Sequence, residues 1–215
     1  MPAFAIRIGC EQRLAKFHRQ SYELVGLPPN VTILGKEPVF AREVIVPKEG
    51  FSHSPLLNYW NLVAVRRRVL EQLGPVPRSS SGRKTVLVIV RDASRRGDGA
   101  VYHARFLREL GRHLPRHEVR AFRASDAALM ACLACQARAF AAADVVVGSH
   151  GAGLSLVLFA REGATVLERI VNDGDSGIYA ELPFLLGMKY FPMHSEADAL
   201  AYRDAILFAE SIEET

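Results

Sequence analysis

The sequence predicts an α/β fold, a Rossmann-like parallel sheet with helices on both faces, preceded by a smaller α/β segment. Three observations lead there. The run Thr85-Val86-Leu87-Val88-Ile89-Val90 is apolar without interruption, as a central parallel strand covered on both faces must be. Beyond it, short β-branched runs alternate with longer helix-patterned ones, the signature of βαβ units. The stretch VVVGSHGAGLS at 145–155 then runs a strand directly into glycines, where the sheet of such a fold meets its ligands.

Taken in order, a helix is expected over 102–113, a strand over 118–122, and one helix over 126–142 with Asp126 as N-cap. A strand follows over 144–147, then the glycine turn, a short helix over 154–159, a strand over 164–168, a helix over 178–186 and a strand over 189–192. The first ~75 residues are less regular, with helices expected over 12–25 and 56–73 and strands over 31–34 and 43–46. The stretch PVPRSSSGR has proline, serine and glycine but no apolar period, so it reads as a linker. The expected organisation is an N-terminal partial α/β segment over 1–75, a linker over 76–83 and a Rossmann-like domain over 84–215.

With 215 residues, 49% of them hydrophobic and 23% charged, the chain buries a real core. No run approaches the ~18 to 20 apolar residues of a membrane span. The opening MPAFAIRIGCEQR lacks a basic region followed by a long apolar segment, so no targeting signal is read there. The net charge of +4 is arginine-rich, with clusters at 66–68, 95–96 and 105–123. They lack the regularly interleaved aromatics expected of a base-stacking surface, so the expected partners are small anions rather than nucleic acid.

Cys10, Cys132 and Cys135 are too few and odd for a disulfide scaffold. Cys132 and Cys135 form a CxxC inside a helix-patterned segment without a second ligand pair. They are expected to pack as small buried hydrophobes.

The glycine turn has the mechanics of an anion cradle. Gly148, Gly151 and Gly153 sit where a strand ends and a helix begins, so a phosphate can approach unpaired N–H groups and the positive end of a helix dipole. His150 can donate a ring N–H to a phosphate oxygen or accept a proton. The plain alternative is a tight turn whose glycines only relieve crowding. Arg91 directly follows the strand at 85–90, and Glu168 ends TVLE, so parallel strands would bring both to the rim that carries His150. Arginine can grip a diphosphate through two N–H groups, and a carboxylate about twenty residues past the glycines can take ribose hydroxyls.

GSHGAGLSLVLFAREGATVLE resembles the signature segment of glycosyltransferase family 61, which includes plant xylan-decorating transferases and animal protein O-linked N-acetylglucosaminyltransferases. The resemblance extends to VLVIVRDASRR, HARFLREL, HEVRAF, ARAFAAADVVVGSHGAGLSLVLF, TVLERI and FLLGMKY, and forward parts such as SYELVGLPPNVTIL and EVIVPKEG are similar to the family's middle region. It covers roughly residues 20–193. The family's Asn-Glu after the second arginine is replaced around Gly99, Ala100, Val101, Tyr102 and His103, and its Thr-Asn after HGAGL is Ser155-Leu156.

The resemblance implies one Rossmann-like half of a GT-B-type enzyme, the C-terminal part of a catalytic region whose other half would precede it. Its donor site would be made by Arg91, Arg95, Arg96, Ser149, His150, Gly151, Ala152, Gly153, Leu154 and Glu168. The implied activity moves a sugar from a nucleotide-diphosphate donor, a UDP-sugar, to a glycan or protein hydroxyl, with His150 as the best base in this chain but favoured for the phosphate. No cofactor or metal is expected, since arginines and helix N–H groups can neutralise the leaving diphosphate. Asp173-Gly174-Asp175 has an acid-x-acid pattern but lies in VNDGDSG, which reads as a solvated turn. The implied location is the lumen of the Golgi or endoplasmic reticulum, where Asn30-Val31-Thr32 would be an N-glycosylation acceptor.

Three other readings compete. A non-catalytic nucleotide-binding remnant, or a truncated fragment, would keep the cradle without turnover. A hydrolase needs a G-x-S-x-G elbow, which the chain lacks. A dehydrogenase needs GxGxxG after the first strand, whereas this turn is GxxGxG after a late one. His53, His103 and His194 carry no motif and are expected at the surface or its boundary.

Overall fold

The computed structural model describes residues 5–7, 20, 24–25, 32–34, 59–77, 79, 81–91, 100–170 and 178–212. The expected helix over 12–25 and strand over 43–46, with His53, Cys10, Arg95, Arg96 and Asp173 to Asp175, lie wholly or largely outside them. Two short strands, β1 (Ala5–Arg7) and β2 (Thr32–Leu34), pair in parallel. Helix α1 (Tyr59–Leu73) follows.

The remaining elements alternate: β3 (Lys84–Val90), α2 (Ala100–His113), β4 (His117–Arg123), α3 (Ala127–Met130), α4 (Leu133–Ala141), β5 (Val145–Ser149), a 3-10 helix (Ala152–Phe159), β6 (Thr165–Arg169), α5 (Ile178–Leu185), β7 (Lys189–Met193) and α6 (Ala199–Ser211). Strands β3 to β7 form a five-stranded sheet in the order β4-β3-β5-β6-β7, and every pairing is parallel. This is the α/β Rossmann-like arrangement the alternation predicts.

The uninterrupted apolar run of β3 divides its side chains between two cores, as the two-residue period of a strand requires. Leu87 and Ile89 join Val146, Val166, Phe140 and Val157 on one face, under α4 and the 3-10 helix. Val86, Val88 and Val90 join Val145, Val147 and Leu167 on the other, under Phe106 and Leu110 of α2 and Tyr202 and Ile206 of α6. Helix α1, on the far side of the expected linker, buries Val69 and Leu73 in the first of these cores.

Three local expectations are corrected. The helix expected over 126–142 is two helices, each with its own cap: Asp126 accepts from Leu129 N, and Cys132 accepts from Cys135 N. That break at Ala131 and Cys132 brings the CxxC cysteines together as a disulfide, with Cα atoms 5.2 Å apart, and neither is buried as expected. His103, expected near the surface, is only 4% exposed, between α2 and the sheet. Helix α6 was not anticipated; Asp198 caps it by accepting from Leu200 N and Ala201 N.

Candidate functional site

Parallel strands all end on one rim, so β3, β5 and β6 deliver Arg91, His150 and Glu168 to the same side of the sheet. Strand β5 runs on to Ser149, further than its sequence suggests, and His150 N still donates to Arg169 O at 2.9 Å. The chain then turns at Gly151, whose φ of 138° belongs to glycine. A Cβ on Gly151 would strike the guanidinium of Arg91, with Cζ at 3.0 Å. Arg91 therefore lies directly over the turn. Gly148 is closely packed instead: a Cβ there would come 2.9 Å from Ile89 Cδ1 and 3.2 Å from Leu154 Cδ2.

Gly151 opens the 3-10 helix, and no side chain caps it. Leu154 N bonds back to Gly151 O at 2.9 Å, while the N–H groups ahead of it have no partner within such a helix. Leu154 itself is buried and anchors this end of the helix in the core.

Behind His150 stands a buried carboxylate. Glu168 is 0% exposed, and it points to the face shared with Val166 by the alternation of β6. Its Oε1 lies 2.6 Å from His150 Nδ1, and its Oε2 accepts from Tyr190 Oη at 2.6 Å. With Glu168 taken as a carboxylate, which only accepts, the shared proton is assigned to Nδ1, and Nε2 is the ring atom on the opposite edge. Tyr179 packs edge-on against the imidazole, with centroids 5.1 Å apart. Burial, and then the hydrogen bond to Glu168, hold the Tyr190 hydroxyl well above the ordinary tyrosine pKa.

In front of His150 lies a cavity of ≈ 850 Å³, a size that suits a nucleotide-like ligand. Its lining combines Arg91, Ser125, Gln136, His150, Ser155 and the turn Gly151 to Gly153 with the apolar side chains of Ile89, Phe122, Met130 and Leu156.

Of the residues singled out in the sequence, Arg91, His150, Gly151, Ala152 and Gly153 thus meet at one cavity. Glu168 does not line it. Its oxygens are engaged by His150 and Tyr190. Ser149 falls on the opposite face, with Val145 and Val147, beside a small second cavity shared with His103, Arg169 and Tyr202. Tyr190, Tyr179 and Gln136 were missed as site residues. Tyr190 had a signal, standing at the end of the FLLGMKY segment. Among the described residues, no group of three His, Cys, Asp or Glu is placed to share a metal ion, and no helix is long and apolar enough to cross a membrane.

Residues 2–167 match the model of the family described as Glycosyltransferase 61, well over half of the chain. A search of curated proteins found no match.

Proposed function

The chain belongs to the glycosyltransferase 61 family and is by that membership a glycosyltransferase, from which we propose that it moves a sugar from a nucleoside-diphosphate donor, a UDP-sugar, to a hydroxyl of a glycan or protein. The observation that carries the donor assignment is the seating of the Arg91 guanidinium over Gly151, at the uncapped start of the 3-10 helix. A diphosphate there meets a fork of N–H donors and a helix N-terminus at once.

In the transfer, the acceptor hydroxyl attacks the anomeric carbon, the bond to the diphosphate breaks, and the diphosphate leaves with both electrons of that bond. Arg91 and the turn N–H groups stabilise the developing charge, in the place a metal ion takes in other phosphate chemistry. Glu168 fixes the His150 ring, so Nε2 is the edge that acts. When protonated it donates to a diphosphate oxygen; when not, it accepts the proton of the attacking hydroxyl. Its place beside Arg91 favours the diphosphate role, and the proton of the attacking hydroxyl then passes to solvent. The fold reading is one half of a GT-B-type pair, and the location is the Golgi or endoplasmic reticulum lumen, where the Cys132–Cys135 disulfide would persist.

Calorimetric titration of the 215-residue chain with UDP, with and without EDTA, tests the donor reading. Micromolar binding that is insensitive to EDTA and lost in both Arg91→Ala and His150→Ala supports it. Binding without sugar transfer to any acceptor tried would make the chain a nucleotide-binding remnant. No binding of any nucleoside diphosphate would reduce the turn to a packing device.

A further inference from the structure

The cavity wall contains one buried amide, and its two hydrogen bonds define its orientation. Gln136, on the first turn of α4, is 5% exposed and lines the cavity. Its Nε2 donates to both Leu129 O and Met130 O, each at 3.1 Å. Two carbonyl partners fix the orientation of the amide, since the opposite assignment would set oxygen against oxygen. Both N–H donors are consumed, and what the side chain has left to offer is the acceptor Oε1. Gln136 is held there by structure on either side: Asp126 caps α3, and the Gln20 side chain brackets the break, donating to Ala131 O and accepting from Leu133 N.

The surroundings suit a flat heterocycle. Phe122, Met130 and Leu156 supply apolar walls, and the diphosphate end, with Arg91 and the glycine turn, opens into the same cavity. An acceptor set beside such walls admits a ring that places an N–H opposite it and disfavours one that places a lone pair there.

Resting on the donor reading above, we propose that Gln136 reads the donor's nucleobase, accepting a ring N–H through Oε1, so that the site takes a base with an imide or lactam N–H and discriminates against bases without one. Uracil, with N3–H, and guanine, with N1–H, carry that group. In cytosine and adenine the corresponding ring nitrogen is itself an acceptor and meets Oε1 lone pair to lone pair.

The test is competitive binding of UDP, GDP, CDP, ADP, N3-methyl-UDP and inorganic pyrophosphate to the full chain, repeated with Gln136→Met. UDP or GDP should bind at least about tenfold more tightly than CDP and ADP, the scale of one buried hydrogen bond lost. If UDP is the preferred ligand, N3-methylation should cost a similar factor in the parent protein, a result that needs no variant to fold. In Gln136→Met the preference should shrink to within about threefold, with melting recorded to confirm the fold. CDP binding as tightly as UDP and GDP, or a preference that survives intact in Gln136→Met, would overturn the proposal. Pyrophosphate binding as tightly as every nucleoside diphosphate would leave the anion cradle standing and sink the base reader alone. No binding by any ligand would sink both.

Discussion

His150 Nδ1 lies 2.6 Å from Oε1 of Glu168, a carboxylate that solvent does not reach. The pair joins two neighbouring strands at their C-terminal ends, where Gly148 of β5 stands in register with Glu168 of β6. A buried carboxylate is costly unless its oxygens are satisfied. Here the imidazole satisfies one and the Tyr190 hydroxyl the other. The cost of burial is offset by two short hydrogen bonds, and the ring is oriented as a consequence.

Glu168→Gln separates orientation from shape. The amide fills the same volume, and its oxygen can still accept from Tyr190, but its N–H then faces Nδ1. The imidazole proton must move to Nε2, which becomes a permanent donor when the ring is neutral. The variant also removes the carboxylate that supports a positively charged ring facing the diphosphate, so kcat/KM should fall by about 10- to 100-fold, the scale of one charge-assisted bond of roughly 1.5–3 kcal/mol. A pH profile of kcat/KM that flattens in the variant would mark His150 as the group reoriented; an unchanged profile with wild-type kcat/KM would remove Glu168 from the mechanism.

Tyr190→Phe tests the other oxygen. The variant leaves a buried acceptor short of one partner and should cost about 1–3 kcal/mol of stability at neutral pH. The Tyr190 pKa is raised in the folded state by burial and by Glu168. A raised folded pKa contributes stability that is present below the ordinary tyrosine value, about 10, and is lost as pH climbs from there through the folded value. Urea denaturation of parent and variant should therefore differ most at neutral pH, with the gap narrowing above about pH 10. A gap constant into the alkaline range would mean that the hydroxyl is not the source of the difference.

The Cys132–Cys135 disulfide closes a very short loop, at a sequence separation of 3. Chain-entropy arguments give such a loop about 2 kcal/mol. Thiol alkylation of the denatured, unreduced protein should modify neither Cys132 nor Cys135, and peptide mass mapping reads this directly. Cys132→Ala/Cys135→Ala should melt a few degrees lower. Ready alkylation of both cysteines in oxidised protein would show that the bridge is absent in solution.

What the sequence disclosed was local in origin. The sheet was legible because β3 has to be apolar on both faces, and that requirement is written into Thr85 to Val90 without reference to any other segment. The turn was legible because Gly151 has a backbone duty at its own position. The break at Ala131 and Cys132 was not, because nothing in ALMACLACQARAF interrupts a helical period; two caps and the Gln20 side chain, distant in sequence, hold the interruption. The role of Glu168 was hidden for the same reason. Its position on the rim follows from strand direction, but its burial depends on Tyr190 arriving from β7 and His150 from β5, which only the sheet order decides. Helix α6 did carry a local signal in Asp198, placed before a helix-compatible run.

Gly151 links the backbone to the seating of Arg91, and a double-mutant cycle can show what that does for the proposed donor site. At φ 138°, alanine is strained by about 1–3 kcal/mol, so Gly151→Ala should lower stability by that order. Its Cβ also invades the space of the Arg91 guanidinium. Because that group is the far end of a flexible side chain, it can swing away, and the fold should survive with Arg91 displaced from the turn. UDP affinity should then fall at least about tenfold, the loss of a charge-assisted contact. On an Arg91→Ala background there is no guanidinium to displace, so Gly151→Ala should cost little further affinity while its stability cost persists. The two affinity losses should thus be strongly non-additive and the stability losses of the two sites separable. Full additivity in affinity would instead make the N–H groups of the turn, rather than the seating of Arg91, the part of the cradle that Gly151 serves.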